Sequence, residues 1–235
     1  MKFQRLVFRR GQQALVLRCT KHADKPEHYA ELVAEMNTLR EQGFSVLVEG
    51  IGSTKEIPAD FSSNERRIAD VLNALFDLVH VQKTLPAGLV SQKLAVKYHK
   101  DVIKADLPFV KCVQFLHDKG VRIPFWLPLC LKSRWGQSCM QKGIQYVARD
   151  LKESNGYTAI KFLFTHPISV VLAYGLKTFN LHKKQLHDHR NNIAVAKVEQ
   201  CAQTTSILLH FGKKHKEGLA KLLAQTGWVL ERVND

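Results

Sequence analysis

The chain lacks the marks of several protein classes. Its formal net charge is +14, yet no run of five like charges occurs and no aromatic RNA-recognition motif is present. A charged nucleic-acid tail and an RNA-reading sheet are therefore not expected. Cysteine is scarce and odd in number: five residues with no CxxC pair. That excludes a zinc ribbon and a disulfide framework and suits a reducing compartment. No apolar stretch reaches the roughly 20 residues a spanning helix needs. The longest, FLFTHPISVVLAYGL between Lys161 and Lys177, is broken by His166-Pro167 and reads as a buried strand and the start of a buried helix. The opening MKFQRLVFRRGQQ has no apolar core of the kind a secretory leader carries, so a cytoplasmic location is expected. GxSxG, Walker A and GxGxxG are all missing, which removes the serine-hydrolase elbow, the phosphate loop and the dinucleotide fingerprint.

What is present points to a folded α/β chain. Apolar residues make up 45% of its 235 positions, enough for a sizeable core without staples. One domain over 1–235 is expected. The 35 Lys and Arg against 21 Asp and Glu are spread along the length, which reads as a solvated basic surface. Such a surface suits anionic substrates, and it leaves an anionic membrane as a peripheral partner.

Periodicity supplies the elements. KFQRLVF alternates and ALVLRC follows a turn at Arg10-Gly11, giving a hairpin. Tyr29, Leu32, Val33, Met36 and Leu39 have helical spacing from Pro26 to Gln42, with Gly43 as the stop. SVLVEGI at 45–51 is a strand. Ser62 and Glu65 have capping-box spacing at the head of a second helix. Residues 94–99 read as a short strand, 108–118 and 137–153 as helices, and 121–131, with two prolines, as an irregular apolar connection. A helix over 183–203, a strand over 205–211, a helix over 216–226 and the strand WVLERV close the chain. The expected fold is a mixed, largely parallel sheet flanked by helices and built around two strand–helix–strand units.

In such a sheet reactive groups gather where strands end and helices begin. His22, Glu49 and His215 all occupy that class of position. If their three strands are parallel neighbours, two imidazoles and a carboxylate converge, a donor set that suits a divalent metal with an open site for water. Glu49 follows Val46-Leu47-Val48, so its charge needs a cation, an arginine or a metal beside it. His182, His187, His189 and Arg190 form a further cluster. There Arg190 can reach inward to pair with Glu49 or hold a substrate anion.

Three segments resemble the TraB/PrgY/GumN/Tiki superfamily, which includes pheromone-shutdown proteins and Wnt-cleaving proteases. The first is LVLRCTKH, a helix, then SVLVEGI, similar to that family's strand, GxxH loop, helix and strand ending in Glu. The second, YHKDVIKADLPFV at 98–110, is a weaker likeness around Asp106. The third is HRNNIAVAKVEQCAQTTSILLHFGKKHKEGLAKLLAQTGW at 189–228, similar to the family's Arg-Asn helix, strand, second GxxH loop and following helix. The resemblance implies a metal-dependent hydrolase of a peptide or amide bond. His22, Glu49 and His215 would hold Mn, Co or Zn, and Glu49, Arg190 and Asn191 would be catalytic. Arg190 and Asn191 would orient substrate or stabilise an oxyanion. The first motif departs from the pattern, because Cys19 stands where the family has glycine. The thiol either weakens the site or adds a soft ligand. The competing expectation is a non-catalytic binding or regulatory protein that keeps the fold and takes up a peptide or small anion.

Overall fold

In the computed structural model, alternating burial makes the first two strands. β1 (Arg5–Arg10) and β2 (Gln13–Thr20) pair antiparallel from Arg5↔Arg18 to Arg10↔Gln13. The structure describes residues 5–21, 23–50, 57–80, 88–133 and 177–234. His22, the helix expected over 137–153 and the apolar run at 162–176 lie outside the described residues.

Contacts divide the chain into two compact units. The first comprises Met1–Gly52, Leu85–Pro108 and Gln185–Asp235. It contains β1 and β2, then β3 (Ala23–Asp24), α1 (Pro26–Glu41), β4 (Ser45–Val48), β5 (Val90–Ser91), α3 (Gln92–Ala95) and β6 (Ile103–Lys104). It continues with α6 (Lys177–Cys201) from Gln185 onward, β7 (Ile207–Gly212), a 3-10 turn (Lys213–His215), α7 (Lys216–Gln225) and β8 (Val229–Asn234). The second unit includes α2 (Ser63–His80), α4 (Phe109–Asp118) and α5 (Trp126–Lys132).

The main sheet has six strands in the order β6-β4-β7-β2-β1-β8. β6, β4, β7 and β2 run parallel, while β1 is antiparallel to both β2 and β8. The α/β class and the mixed, largely parallel sheet are as the sequence predicts. Both strand–helix–strand units are present, β2–α1–β4 and β7–α7–β8. The late strand β7 lies between β2 and β4, so each unit is interleaved with the other end of the chain. β7 is buried at every position, as befits a central parallel strand covered on both faces. Register aligns the carboxyl ends: Thr20 stands opposite Gly212, and Val48 opposite His210.

Period-2 alternation divides the core between the two faces of the sheet. Leu15, Leu17, Leu47, Leu209 and Phe211 pack with Ala194 and Val198 of α6 and Leu219 and Leu223 of α7. Val16, Val46, Val48 and Leu208 pack with Tyr29, Leu32, Met36 and Leu39 of α1. His210 follows Leu208 on this second face and is fully buried. Its partners close into a ring of hydrogen bonds. His210 Nε2–H donates to Thr20 Oγ1 at 2.8 Å, and Thr20 donates to Gln92 Oε1 at 3.3 Å. Gln92 Nε2 donates to the Tyr98 hydroxyl at 3.0 Å, which donates to His210 Nδ1 at 3.1 Å. With the His210 proton on Nε2, each bond of the ring has one donor and one acceptor, and both ring nitrogens are satisfied.

Two expectations need correction. Residues 94–99 do not form a strand: Gln92–Ala95 is a helical turn, Val96 after it is extended, and residues 96–99 belong to no helix or strand. Six residues are too few for periodicity to separate these states. The 121–131 segment is irregular only to Pro124, after which α5 forms with Pro128 inside its first turn. Proline is tolerated there because the first N–H groups of a helix have no intrahelical acceptor. The capping box at α2 is present. Ser62 N–H and Oγ–H donate to Glu65 Oε2 at 2.8 and 2.6 Å, and Glu65 N–H donates to Ser62 Oγ at 3.3 Å. Those bonds hold the Glu65 carboxyl below its ordinary pKa. Among the described residues no helix is long and apolar enough to cross a membrane.

Replacing Tyr98 with Phe tests the hydrogen-bond ring. The variant leaves His210 Nδ1 buried without its donor, at a cost of about 1–3 kcal/mol. A lower urea midpoint with unchanged m-value is the expected result, and an unchanged midpoint would contradict the ring.

Candidate functional site

The first face of the sheet carries a different polar cluster, where β4, β6 and β7 end. Glu49 follows Leu47 by two residues and so points to the α6 side. Its side chain is only 13% exposed. Its charge finds the partner that burial demands. Glu49 Oε1 accepts from Arg190 Nη2 at 2.5 Å, and Oε2 accepts from the backbone N–H of Gly212 at 2.5 Å. Of the three partners that Glu49 could have had, the structure supplies the arginine.

Arg190 faces a second carboxylate. Its Nε and Nη2 donate to Asp106 Oδ1 and Oδ2 at 2.9 and 2.7 Å, a two-pronged contact. Asp106 also accepts the backbone N–H groups of Leu107 at 2.7 Å and Gly50 at 3.3 Å. Burial alone would lower the Arg190 pKa. The hydrogen bond and charge of Asp106, together with Glu49, hold it above the ordinary value instead. One guanidinium thus stands between two carboxylates. Asp106 has only the two-residue strand β6 before it and no periodic signal, so sequence reading placed nothing at this position beyond a family likeness.

His215 closes the far side of the cluster. It ends the 3-10 turn after β7 and is 2% exposed. Asn191 Oδ1 stands 2.6 Å from His215 Nδ1. An amide oxygen only accepts, so Nδ1 is the donor, and in the neutral ring Nε2 then carries the lone pair. Nε2 lies 3.6 Å from Glu49 Oε1 and is hydrogen-bonded to His187 Nδ1 at 3.1 Å. The two imidazole rings lie 4.6 Å apart, and the Phe211 ring meets His215 edge-on at 5.4 Å. His187, Arg190 and Asn191 are three and four residues apart, so one face of α6 presents all three. Sequence reading placed His187 in a cluster but gave it no role. Its spacing from Arg190 and Asn191 was the available signal.

Gly218 makes the Asn191–His215 contact sterically feasible. A Cβ at this position on α7 would overlap Asn191 Nδ2. Glycine here answers a close approach between helices, since the position carries no positive φ.

Cys19 is buried on the same face as Leu15 and Leu17. Burial pushes its thiol up to about 12, with Lys216 opposing, Glu49 adding and Arg18 opposing. It is therefore a neutral thiol at physiological pH and a poor metal ligand.

Of the expected site residues, the structure brings together Glu49, Arg190, Asn191 and His215, and His22 lies outside the described residues. Their chemistry fits a divalent cation in part. An ion bonded at about 2.1 Å to each of two tetrahedral ligands holds them about 3.4 Å apart, close to the 3.6 Å between His215 Nε2 and Glu49 Oε1. A carboxylate oxygen has two lone-pair sites, so contact with Arg190 does not exclude a cation. Among the described residues no group of three or more His, Cys, Asp and Glu side chains is arranged to hold a metal.

Substituting Arg190 with Leu strands two buried carboxylates and is expected to cost about 3–5 kcal/mol at neutral pH. The deficit relative to wild type should shrink as acid protonates them. Urea unfolding at several pH values reads both effects. For Cys19 the raised pKa makes the folded thiol slow to ionise. Stability linked to it is complete below pH 9 and is lost as pH climbs toward 12, because the unfolded thiol ionises first. Urea midpoints above pH 9 should fall less in Cys19→Ala than in wild type, and iodoacetamide at pH 8 should leave Cys19 unmodified by mass spectrometry.

No family model, no curated protein and no solved structure matches this chain. Its functional reading therefore rests on the side chains described above.

Proposed function

We propose that the protein is a metal-dependent hydrolase acting on peptide or amide bonds, with His22, Glu49 and His215 holding a divalent ion such as Mn, Co or Zn. One observation carries this reading. His215 Nε2 lies 3.6 Å from Glu49 Oε1, a distance suited to shared coordination of an ion, and the Asn191 bond at Nδ1 leaves Nε2 as the coordinating nitrogen of the neutral ring. Two carboxylates sharing one guanidinium also supply acceptor oxygens at the same place. When bound, such an ion lowers the pKa of a water molecule and polarises a substrate carbonyl.

The chain's own residues divide the remaining work. Asn191 holds the His215 tautomer. Arg190 and the Gly212 N–H orient Glu49. Asp106 holds Arg190 in turn, through both nitrogens of the fork. Arg190 and Asn191 thus support the reading as positioning residues that act through Glu49 and His215.

The test is metal content and affinity of the purified full chain. Wild type is expected to retain a divalent ion and to cleave a fluorogenic peptide in a chelator-sensitive way. His22→Ala and His215→Ala should each lose most of the metal. Gly218→Ala, which displaces Asn191, should weaken affinity about 10- to 100-fold while the fold, read by circular dichroism, is retained. Equal metal in wild type and His215→Ala would overturn the proposal. Metal-independent peptide binding that is insensitive to His22→Ala would replace it with the non-catalytic binding reading.

A further inference from the structure

The sheet is open along β6. Among the described residues β6 ends the strand order and pairs with β4 alone. Ala105 N–H donates to Val48 O at 3.0 Å, and Lys104 stands in register with Val48. In a parallel ladder successive residues aim their N–H and C=O groups to opposite sides. The groups of Ile103 and Ala105 therefore face β4, and those of Lys104 face away from the sheet. A lysine at an edge ordinarily wards off further pairing. Here its stem lies against Gly50 beyond the end of β4, where a Cβ would meet it at 3.1 Å. The side chain thus leans back over the α1 face and does not shield the edge.

A cleft of about 260 Å³ opens on the other face of the same edge. It is lined by Lys104 and Ala105 from the strand side and by Ile193, Ala196, Lys197 and Gln200 from α6. Ala105 is buried in the α6-side core, while Ala196 and Gln200 are exposed. The cleft thus lies between the last strand and the helix above it, where an inward side chain of a further strand would pack.

This geometry selects the occupant. An N–H and a C=O on one outward-facing residue match a peptide main chain, which accepts one bond and donates the other. Side chains alternate along a strand. A residue beside the one paired with Lys104 therefore turns to the α6 side and meets the apolar walls of Ala105, Ile193 and Ala196. Asp106 follows Ala105, so a segment laid along β6 runs past the Glu49–Arg190–Asp106 cluster. A second copy is a poorer fit: β6 has two residues, and pairing through them alone falls far short of the roughly 1,000 Å² a stable interface buries.

We propose that the outer edge of β6 takes an extended peptide segment by strand addition, with one apolar side chain of that segment seated in the cleft beneath α6. The inference rests on the peptide-hydrolase reading for taking that segment as substrate. Its test does not need turnover.

The experiment is fluorescence anisotropy of the full chain, in chelator, with a labelled, capped heptapeptide of alternating threonine and leucine. An alanine-for-leucine twin and an N-methylated twin serve as comparators. The leucine peptide is expected to bind, and the N-methylated twin, which cannot donate main-chain bonds, is not. Proline is tolerated on an edge whose N–H faces outward, so Lys104→Pro removes the outward donor and keeps the fold. It should weaken binding about 3- to 10-fold, as one lost hydrogen bond warrants, while Lys104→Gln matches wild type. Ala196→Phe, which fills the cleft, should bring the leucine peptide down to its alanine twin. Hydrogen exchange at the Lys104 amide should slow when the peptide is bound. His215→Ala should leave all of this unchanged. No binding by wild type, or binding that Lys104→Pro and Ala196→Phe both leave intact, would overturn the proposal. So would a wild-type dimer that Lys104→Pro dissociates, which would give the edge to a second copy. Binding as expected in a chain that neither retains metal nor cleaves peptide supports the edge site and removes the hydrolase reading. Chelator-sensitive cleavage with wild-type KM in Lys104→Pro removes the edge site alone.

Discussion

The arrangement at the carboxyl end of the sheet depends on one guanidinium. Glu49 and Asp106 come from the ends of two neighbouring strands, β4 and β6, and both are largely buried. Two carboxylates so placed repel each other and lose hydration, and neither cost is small in a low-dielectric setting. Arg190 answers both with three short hydrogen bonds, and backbone N–H groups of Gly50, Leu107 and Gly212 take up further oxygen lone pairs. The geometry is strict because a guanidinium fork is planar and cannot follow a carboxylate that moves. Fixing Arg190 therefore fixes the rotation of α6 above the strand ends. Everything else on that helix face inherits its position.

Asn191 is the first residue to inherit it. Once Arg190 is set, the next side chain meets the turn after β7 and accepts the His215 Nδ1 proton. The close approach of α7 that this requires is permitted by Gly218. A carboxylate pair, an arginine, an amide and a glycine thus form one chain of steric and electrostatic dependence that ends on a single imidazole. Burial of Cys19 adds to it in a negative sense. A thiol raised to about 12 stays protonated beside Glu49 and introduces no competing anion. The position where the resembled family carries glycine is thereby occupied without adding charge.

Much of this was legible from residues alone, and the reason differs by element. The strands 13–20, 45–48 and 207–212 announce themselves because apolar, β-branched runs have few alternatives. α1 and α7 do so through spacing and glycine stops. Glu49 was legible as a problem, a charge at the end of an apolar strand. Arg190 was legible as one of its solutions. Sheet order was not legible: β7 between β2 and β4 is a long-range pairing that no local pattern encodes. Asp106 was hidden because β6 has only two residues, too few for alternation to register. The role of His187 was hidden because its meaning lies in a partner 28 positions away. The helix at 126–132 was misread because two prolines suggested a break, while Pro128 falls where a helix has no N–H to lose.

The two faces of the sheet end in polar systems of opposite character. On the α1 side, His210, Thr20, Gln92 and Tyr98 form a closed ring in which each donor has an acceptor. Burial also raises the Tyr98 hydroxyl to about 12, keeping it neutral. A ligand arriving there would have to break matched bonds to make its own. On the α6 side two carboxylates share one guanidinium, and His215 Nε2 stands 3.6 Å from one of them. The sheet therefore separates a closed hydrogen-bond ring, which fixes the ends of β2 and β7, from a cluster of charged side chains at the ends of β4 and β6. The same strands serve both because alternate residues face opposite sides: His210 and Phe211, adjacent in sequence, belong to different halves of the protein's chemistry.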